Sequence, residues 1–353
     1  MKYKVIEFEN EEKYINEFLK LPKRLYSKRE IMQDEKEEKE ILMGTHILSK
    51  YFKINNFLVL NEKEKAVARA IVTFYENDKT AYVGYYECIE NIDVSNMLLE
   101  YVEKYVKYRG YESIIGPLNC SFWIGYRFKL DNFNHPYIGE PYNKPYYPYF
   151  FKEAGYEIYQ EYSSNIFDKV NKAQDNVKFS DRLKKMKCKG YKFITPTRNT
   201  FNEQLKDIGK MILKLYSNFP GYKEIELNDF YNLYKDLDKI VDFSMIKLSY
   251  YNDKMVGFFV AIPNYKNFVC RKNYLKIILH KFMKREYILM YLGVEKEHLG
   301  LGRALAESMK EELKKNRATS IGALIKTGNA NKVYFKELIK NEYKYVLLHK
   351  RLY

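Results

Sequence analysis

The chain runs to 353 residues yet holds only four cysteines, five histidines and one tryptophan. Cys88, Cys120, Cys188 and Cys270 are too far apart to form a C-x-x-C or C-x-x-H cluster, which leaves neither a zinc site nor a disulfide framework. His46, His135, His280, His298 and His349 are equally scattered, so no metal is expected. Long apolar runs are missing too. The longest, around Val256–Pro263 and Tyr287–Val294, fall short of the roughly 20 residues a membrane span needs. Met1 to Lys13 is polar and acidic, with no apolar segment behind a basic start, so no signal peptide is read. The expectation is a cytoplasmic protein with no membrane partner.

What is present is a globular profile, 46% hydrophobic and 30% charged, which argues against long disorder. Single cores stop growing near roughly 250–300 residues, so two domains are expected. The net charge of +15 attracts anions, whether nucleic acid, acidic lipid or a polyphosphate cofactor. The lysines are spread rather than striped. That argues against a dedicated nucleic-acid surface without closing it off.

Periodicity divides the chain into two halves of similar plan. In the first, residues 11–20 and 35–52 read as helices, separated where Pro22 interrupts the period. A hairpin follows (Asn56–Leu60 and Lys65–Tyr75), then a strand (Thr80–Glu87), a helix (Val94–Tyr108) stopped by Gly110, and a strand in "YESIIGP". In the second half, a strand (Tyr191–Thr195) and a helix (Phe201–Leu215) precede a hairpin turning at Asn252-Asp253. Then come a strand (Glu286–Val294), a helix (302–315), a strand (Ser320–Lys326), a helix (Ala330–Ile339) and a last strand (Tyr343–Leu348). The lysine-rich stretch 169–189 reads as a partly helical linker. Domains are therefore expected at 1–168 and 190–353.

The most informative stretch is "LGVEKEHLGLGRALAESMKEEL", Leu292–Leu313, where a strand runs through two glycines into a helix. Most helices open on Ser, Thr, Asp or Asn, whose side chain satisfies the first free N–H groups. None stands here. Helix N-termini carry unsatisfied N–H groups and a partial positive charge, so they hold phosphate well. Gly300 and Gly302 let main-chain amides approach a ligand, and Arg303 adds a fixed charge. An anion in the place of the missing cap is the expectation. The stretch lacks the third glycine and distant acid of a dinucleotide fingerprint, and the chain has no G-K-[ST], which sets aside nicotinamide and P-loop readings.

The order hairpin, strand, Gly-rich loop, helix, strand, helix, strand resembles the GNAT N-acetyltransferase superfamily, and "YLGVEKEHLGLGRAL" resembles its acyl-CoA pyrophosphate loop. "FLKLPKRLY", "VGYYECIEN", "YESIIGPLNCSFWIGYRF" and "PYNKPYYPYFFKEAGYE" are similar to a bacterial group of tandem GNAT-like proteins. The resemblance implies an α+β fold of two tandem GNAT-like domains, each a mixed, largely antiparallel sheet flanked by helices. Glu297 or Leu299, depending on alignment, stands where the superfamily has Gln or Arg. The N-terminal half has no glycine in the corresponding turn and carries Glu87, Glu90 and Asp93 there, so only the C-terminal half is expected to bind acyl-CoA.

The implied activity is N-acyl transfer from acetyl-CoA or another acyl-CoA to an amine, without a covalent enzyme intermediate. The resemblance assigns the cofactor to Leu292, Gly293, Val294, Leu299, Gly300, Leu301, Gly302, Arg303 and Ala304, with Asn329 on the pantetheine arm. Tyr334, or Phe335 in a shifted alignment, matches the proton donor to the thiolate. Glu295 is the first candidate base and His298 the second. In the N-terminal half Asn119, Ser121, Trp123, Tyr126 and Arg127, with Tyr142, Asn143, Tyr146 and Tyr147, either line an acceptor site between the halves or pin loops to the core. Two other classes stay open: a transferase of this fold that takes amino acids from aminoacyl-tRNA, and a non-catalytic acyl-CoA binder.

Overall fold

The computed structural model describes residues 2–170, 177–282, 285–327 and 339–353. The N-terminal half carries β1 (Tyr3–Phe8), α1 (Glu12–Leu25), α2 (Glu35–Leu42), β2 (Lys53–Asn61), β3 (Ala66–Phe74) and β4 (Thr80–Cys88). It continues with α3 (Ile92–Tyr108), β5 (Ser113–Gly116), β6 (Phe128–Lys129), α4 (Tyr147–Glu153) and β7 (Glu157–Phe167). The C-terminal half carries α5 (Val177–Cys188), β8 (Lys192–Ile194), α6 (Phe201–Leu215), α7 (Leu227–Tyr234), β9 (Ile246–Tyr251) and β10 (Lys254–Pro263). Next are α8 (Tyr274–Phe282), β11 (Glu286–Val294), α9 (Leu301–Lys315), β12 (Thr319–Lys326) and β13 (Ile339–Arg351).

All the strands join one twisted sheet in the order β1-β2-β3-β4-β5-β13-β7-β12-β11-β10-β9-β8, with β6 beside β13. Among the described residues only β4 with β5 and β11 with β12 pair in parallel. The expected α+β class, mixed and largely antiparallel, is what the chain adopts. The two halves also trade strands. β13, last in sequence, pairs with β5 of the first half (Leu348 opposite Gly116), and β7 of the first half pairs with β12 of the second (Ile321 opposite Ile166). β7 and β13 lie side by side at the centre, so the hydrogen-bond ladder crosses from one half to the other without a gap.

Each half packs helices on both faces. In the first, the alternation along β2 and β3 sends Phe57, Val59, Ala68 and Val72 to the α3 face, with Leu98, Leu99 and Val102. Leu58, Leu60 and Ile71 go to the α1 and α2 face, with Phe18, Leu21 and Ile41. In the second, Leu248, Phe258 and Val260 meet α6, while Val256, Phe259 and Ala261 meet α9. The stripe expected on α9, Leu301, Leu305, Met309 and Leu313, is fully buried against that face.

Several elements differ from the sequence expectation. Pro22 does not end α1, which runs on to Leu25. Proline has no N–H to give the Phe18 carbonyl four residues back, and Arg69 on β3 supplies the missing donor at 3.0 Å. Arg69 is itself buried, held in a two-pronged pair with Glu38 on α2 (2.7 and 3.0 Å). The second helix ends at Leu42 rather than 52, since Gly44 turns with φ +67° and β2 takes over from Lys53. β1, β7, α7 and α8 had no counterpart in the sequence reading. The expected helix 330–339 lies almost wholly outside the described residues, and the last strand starts earlier, at Ile339.

Candidate functional site

Both parallel pairs in the sheet separate partway along, leaving a wedge. β11 and β12 are in register from Glu286–Thr319 to Leu289–Gly322 and then diverge. Two irregularities open the gap. On β11, Met290 is an extra residue, since Tyr291 faces Val260 and Leu289 faces the next residue, Ala261. On β12, Ala323 and Leu324 bulge between Gly322 and Ile325, and Leu324 adopts φ +56°, strained for a branched side chain. The Leu324 N–H donates to Ser164 Oγ at 3.0 Å, which holds the bulge against β7.

The wedge opens into a cavity of about 360 Å³. Its walls are Leu289 to Leu292 of β11, Ala306, Met309, Lys310 and Leu313 of α9, and Ser320 to Lys326 of β12. Tyr216, Phe219 and Tyr234 close it from the helical side of the C-terminal half. The N-terminal half contributes the loop Phe122–Arg127, so the cavity belongs to both halves. Among the expected acceptor-site residues, Trp123, Tyr126 and Arg127 line it. Trp123 is held by its Nε1–H to the Lys223 carbonyl (2.9 Å), and Tyr126 meets Tyr162 edge-on at 5.8 Å.

The other expected acceptor residues lie elsewhere, as clamps. Asn119 Oδ1 accepts the Tyr85 N–H at 2.7 Å, and Ser121 Oγ accepts the Trp123 N–H at 3.3 Å. Asn143 Oδ1 accepts the Lys129 N–H at 2.6 Å, Tyr142 donates to the Phe133 carbonyl (3.1 Å) and Tyr146 to the Cys88 carbonyl (3.0 Å). Tyr147 Oη accepts the Cys88 N–H at 2.9 Å. These bonds satisfy loop main chain that would otherwise be buried without partners.

At the far end of β11, Gly300 caps α9 in the left-handed region (φ +86°), and no side chain caps the helix. The first turn is therefore built as the sequence indicates, a main-chain N-terminus with no carboxyamide or hydroxyl over it. A methyl on Gly300 would come within 3.1 Å of the Arg182 guanidinium. Arg182 on α5 thus stands over the loop, a second cation beside Arg303 that the reading of 169–189 as a linker hid. Leu299 beside it is almost fully exposed. Gly293 has a packing reason as well: a side chain there would meet the Phe258 ring at 2.4 Å. Of the expected cofactor residues, Leu292 lines the cavity, while Gly293, Val294 and Leu299–Ala304 lie beyond its described walls.

The expected bases occupy the loop between. Glu295 accepts from Lys214 of α6 at 2.7 Å. His298 Nδ1 bonds Tyr191 Oη at 2.7 Å, with its ring edge-on to Tyr191 and Tyr251. Neither lines the cavity. Asn329 and Tyr334 lie outside the described residues. Among the described residues no cluster of His, Cys, Asp and Glu could hold a metal ion, and no helix is long and apolar enough to cross a membrane.

The wedge between parallel strands and the bulge beside it recur in both halves, and with the glycine-led helix of the second half they match a tandem GNAT fold. Known structures carry the same architecture. A tandem GNAT protein from the clavulanic acid biosynthesis pathway superposes with a TM-score of 0.54 over 99% of both chains, at 9% identity. A GCN5-related glucosamine N-acetyltransferase region of a fungal multi-domain β-N-acetylglucosaminidase superposes at 0.55 and 13% identity, over 99% of this chain and 38% of that one. A conserved protein of unknown function from Enterococcus faecalis gives 0.52 at 11% identity, over all of this chain and 73% of that one. At these identities the likeness is one of fold. No sequence-family model and no curated protein matches the chain.

Proposed function

We propose that the chain is an acyl-CoA-dependent N-acyltransferase that binds acyl-CoA in its C-terminal half and an amine in the cavity shared by the two halves. The observation that carries this reading is the open β11–β12 wedge, which leads into the cavity at one end while the uncapped, glycine-led start of α9 follows at the other. The N-acetyltransferase name of one structural neighbour and the GNAT name of another agree with it.

The residues present fit an acyl-CoA. Main-chain amides of the first turn of α9, with Arg303 and Arg182 nearby, suit a diphosphate. An acyl-CoA, when bound, supplies an activated thioester carbonyl. The main chain around the Met290 bulge would offer it N–H donors, in a pocket lined by aromatic rings that limit water. Leu292, Gly293 and Val294 carry the strand from that bulge to the loop. Asn329 and Tyr334 are carried forward from the resemblance as pantetheine contact and proton donor. Glu295 would reach an amine only by leaving Lys214, and His298 by leaving Tyr191. The division at residues 168 and 190 into a degenerate and a binding domain is part of the same proposal.

Acetyl-CoA at about 100 times its Kd should stabilise the folded chain by about 2.7 kcal/mol, read as a rise in melting temperature. Gly302→Glu, which sets a carboxylate among the amides of α9, should abolish that rise, judged against the melting temperature of the same variant without ligand. Release of free CoA thiol on adding an amine tests transfer itself. No acetyl-CoA-dependent rise in the wild type would overturn the reading.

A further inference from the structure

One wall of the cavity holds a charge with nothing to answer it. Arg127 is 8% exposed and faces the cavity, its guanidinium 3.7 Å from the Tyr126 ring centroid and 3.9 Å from that of Tyr162. The two rings fix its plane and contribute cation–π attraction, and one Nη–H donates to the Tyr126 hydroxyl. Nε has no partner, and among the described residues no carboxylate pairs with the group. A buried guanidinium without a counter-ion costs several kcal/mol. Arg127 also sits at φ +91°, a conformation of order 1–3 kcal/mol above the ordinary regions for a residue with a side chain. An apolar residue at this position would escape the first cost, and only a glycine would escape the second.

Apart from half-buried Lys326 at the end of β12, the other charges at the cavity are already engaged. Asp168 pairs with Lys340 at the surface (3.0 Å), and Lys310 pairs with Glu307 (3.0 Å). A second unanswered group lies on the same lining: Asn165 of β7 is 2% exposed and its Oδ1 has no partner. Around these two stand Phe122, Trp123, Phe219 and Met290. The cavity therefore offers one buried cation held between two rings, a second and half-buried cation at Lys326, one amide oxygen and an aromatic wall.

We propose that the acceptor amine is an α-amino acid with an apolar side chain, its carboxylate taken by Arg127 and an amino N–H by Asn165. This rests on the N-acyltransferase reading. In the transfer, the amino nitrogen forms the new bond to the acyl carbon, the carbon–sulfur bond breaks, sulfur keeps the electron pair and gains a proton, and the amine loses one. Arg127 is a binding residue that fixes the acceptor and takes no part in the proton transfers. A carboxylate could also arrive on the acyl group, as in succinyl-CoA, and the test separates the two sources.

Trp123 is the only tryptophan and lines the same cavity, so its fluorescence reports binding without turnover. With the full chain, L-phenylalanine should change that signal and be acetylated from acetyl-CoA, whereas L-phenylalaninamide should show at least a tenfold lower kcat/KM. Arg127→Met should lower kcat/KM for L-phenylalanine at least 100-fold, chiefly through KM, and leave the acetyl-CoA-induced rise in melting temperature intact. Arg127→Lys should recover part of the loss. Equal or faster acetylation of the amide overturns the inference. So does a dependence on Arg127 that appears only with succinyl-CoA and an uncharged amine such as benzylamine. Should Arg127→Met fail to fold, the acid-against-amide comparison on the wild type decides alone. An acetyl-CoA rise with no carboxylate preference sinks this inference only, whereas no rise at all sinks the reading beneath it.

Discussion

The two wedges of the sheet have the same origin and opposite contents. In the N-terminal half β4 and β5 pair from Thr80–Ser113 to Tyr82–Ile115 and then part, and β4 has its own bulge at Tyr85, with φ +49°. There the chain fills its own gap. The Leu118 N–H bonds the Val83 carbonyl at 2.9 Å, and Asn119 Oδ1 takes the Tyr85 N–H. Leu118 lies so close that a methyl on Gly84 would come within 2.0 Å of its carbonyl oxygen. The following helix differs in the same sense. α3 is capped by Asn91, whose Oδ1 accepts the Val94 N–H at 3.2 Å, while α9 has no side-chain cap. A wedge that satisfies its own donors has no reason to hold a ligand, and one that does not has a reason.

The largest expected effect tests whether the halves behave as one body. Lys129 and Glu140 form a fully buried pair, and Tyr345 on β13 donates to the same carboxylate. Burial pushes the Glu140 carboxyl up and the Lys129 ammonium down. Lys129→Met leaves that carboxyl without its cation and should cost about 3–5 kcal/mol. Because the ladder is continuous, denaturant should still unfold the chain in one transition, by Trp123 fluorescence and by far-UV dichroism alike. Two separated transitions would break the comparison.

Next in size is a matched pair of glycine substitutions. Gly84→Ala drives a methyl into the Leu118 main chain and should cost about 3 kcal/mol. Gly322→Ala at the open wedge meets the Phe167 ring at 3.2 Å and touches Ile325 and the Asn165 carbonyl at ordinary contact distances, and should cost about 1 kcal/mol or less. Equal losses in denaturant titrations would mean the wedges are filled alike. Asn119→Ala follows, at about 1–3 kcal/mol for the orphaned Tyr85 N–H, and should leave any acetyl-CoA-induced melting shift unchanged. A second acetyl-CoA site appearing in this variant would show that the plug alone separates the halves.

The smallest effect is a slope with pH. Glu87, at the end of β4, donates no charge to solvent but sits against Tyr147 Oη at 2.7 Å, and burial pushes its carboxyl up to about 7. The folded chain then holds a proton that the unfolded chain releases near 4.5. Stability from this group is full below about 4.5 and is lost as pH rises to about 7, by about 1 kcal/mol or less per pH unit. Glu87→Gln should flatten the fall in melting temperature across that window; an unchanged slope would place the titration elsewhere.

How much of this was legible beforehand depended on how local the cause is. α6 and β11 match their expected bounds to the residue, because a strong apolar period or an apolar run between charges needs no distant partner. Asn252 and Asp253 both adopt positive φ, as their hairpin required. β7 escaped notice because its buried residues include Ser163, Ser164 and Asn165, which look like loop until the strands on either side are known. Trp123, Tyr126 and Arg127 were named for a site between the halves and line the cavity. Tyr142, Asn143 and Tyr146, chosen on the same composition, anchor main chain. Composition cannot separate a side chain that faces a cavity from one that pins a loop, since both want a polar tip on an apolar body.

The traded strands set a schedule for synthesis. Tyr137 and Tyr345, neighbours at 3.3 Å, are 208 residues apart in sequence. On the ribosome, the emerging first half carries β5 with an open edge until β13 leaves the exit tunnel, and such long-range closure is slow. The nascent chain therefore passes its elongation up to β13 with an unfinished sheet, and a stop codon ahead of Ile339 would spoil the half made first.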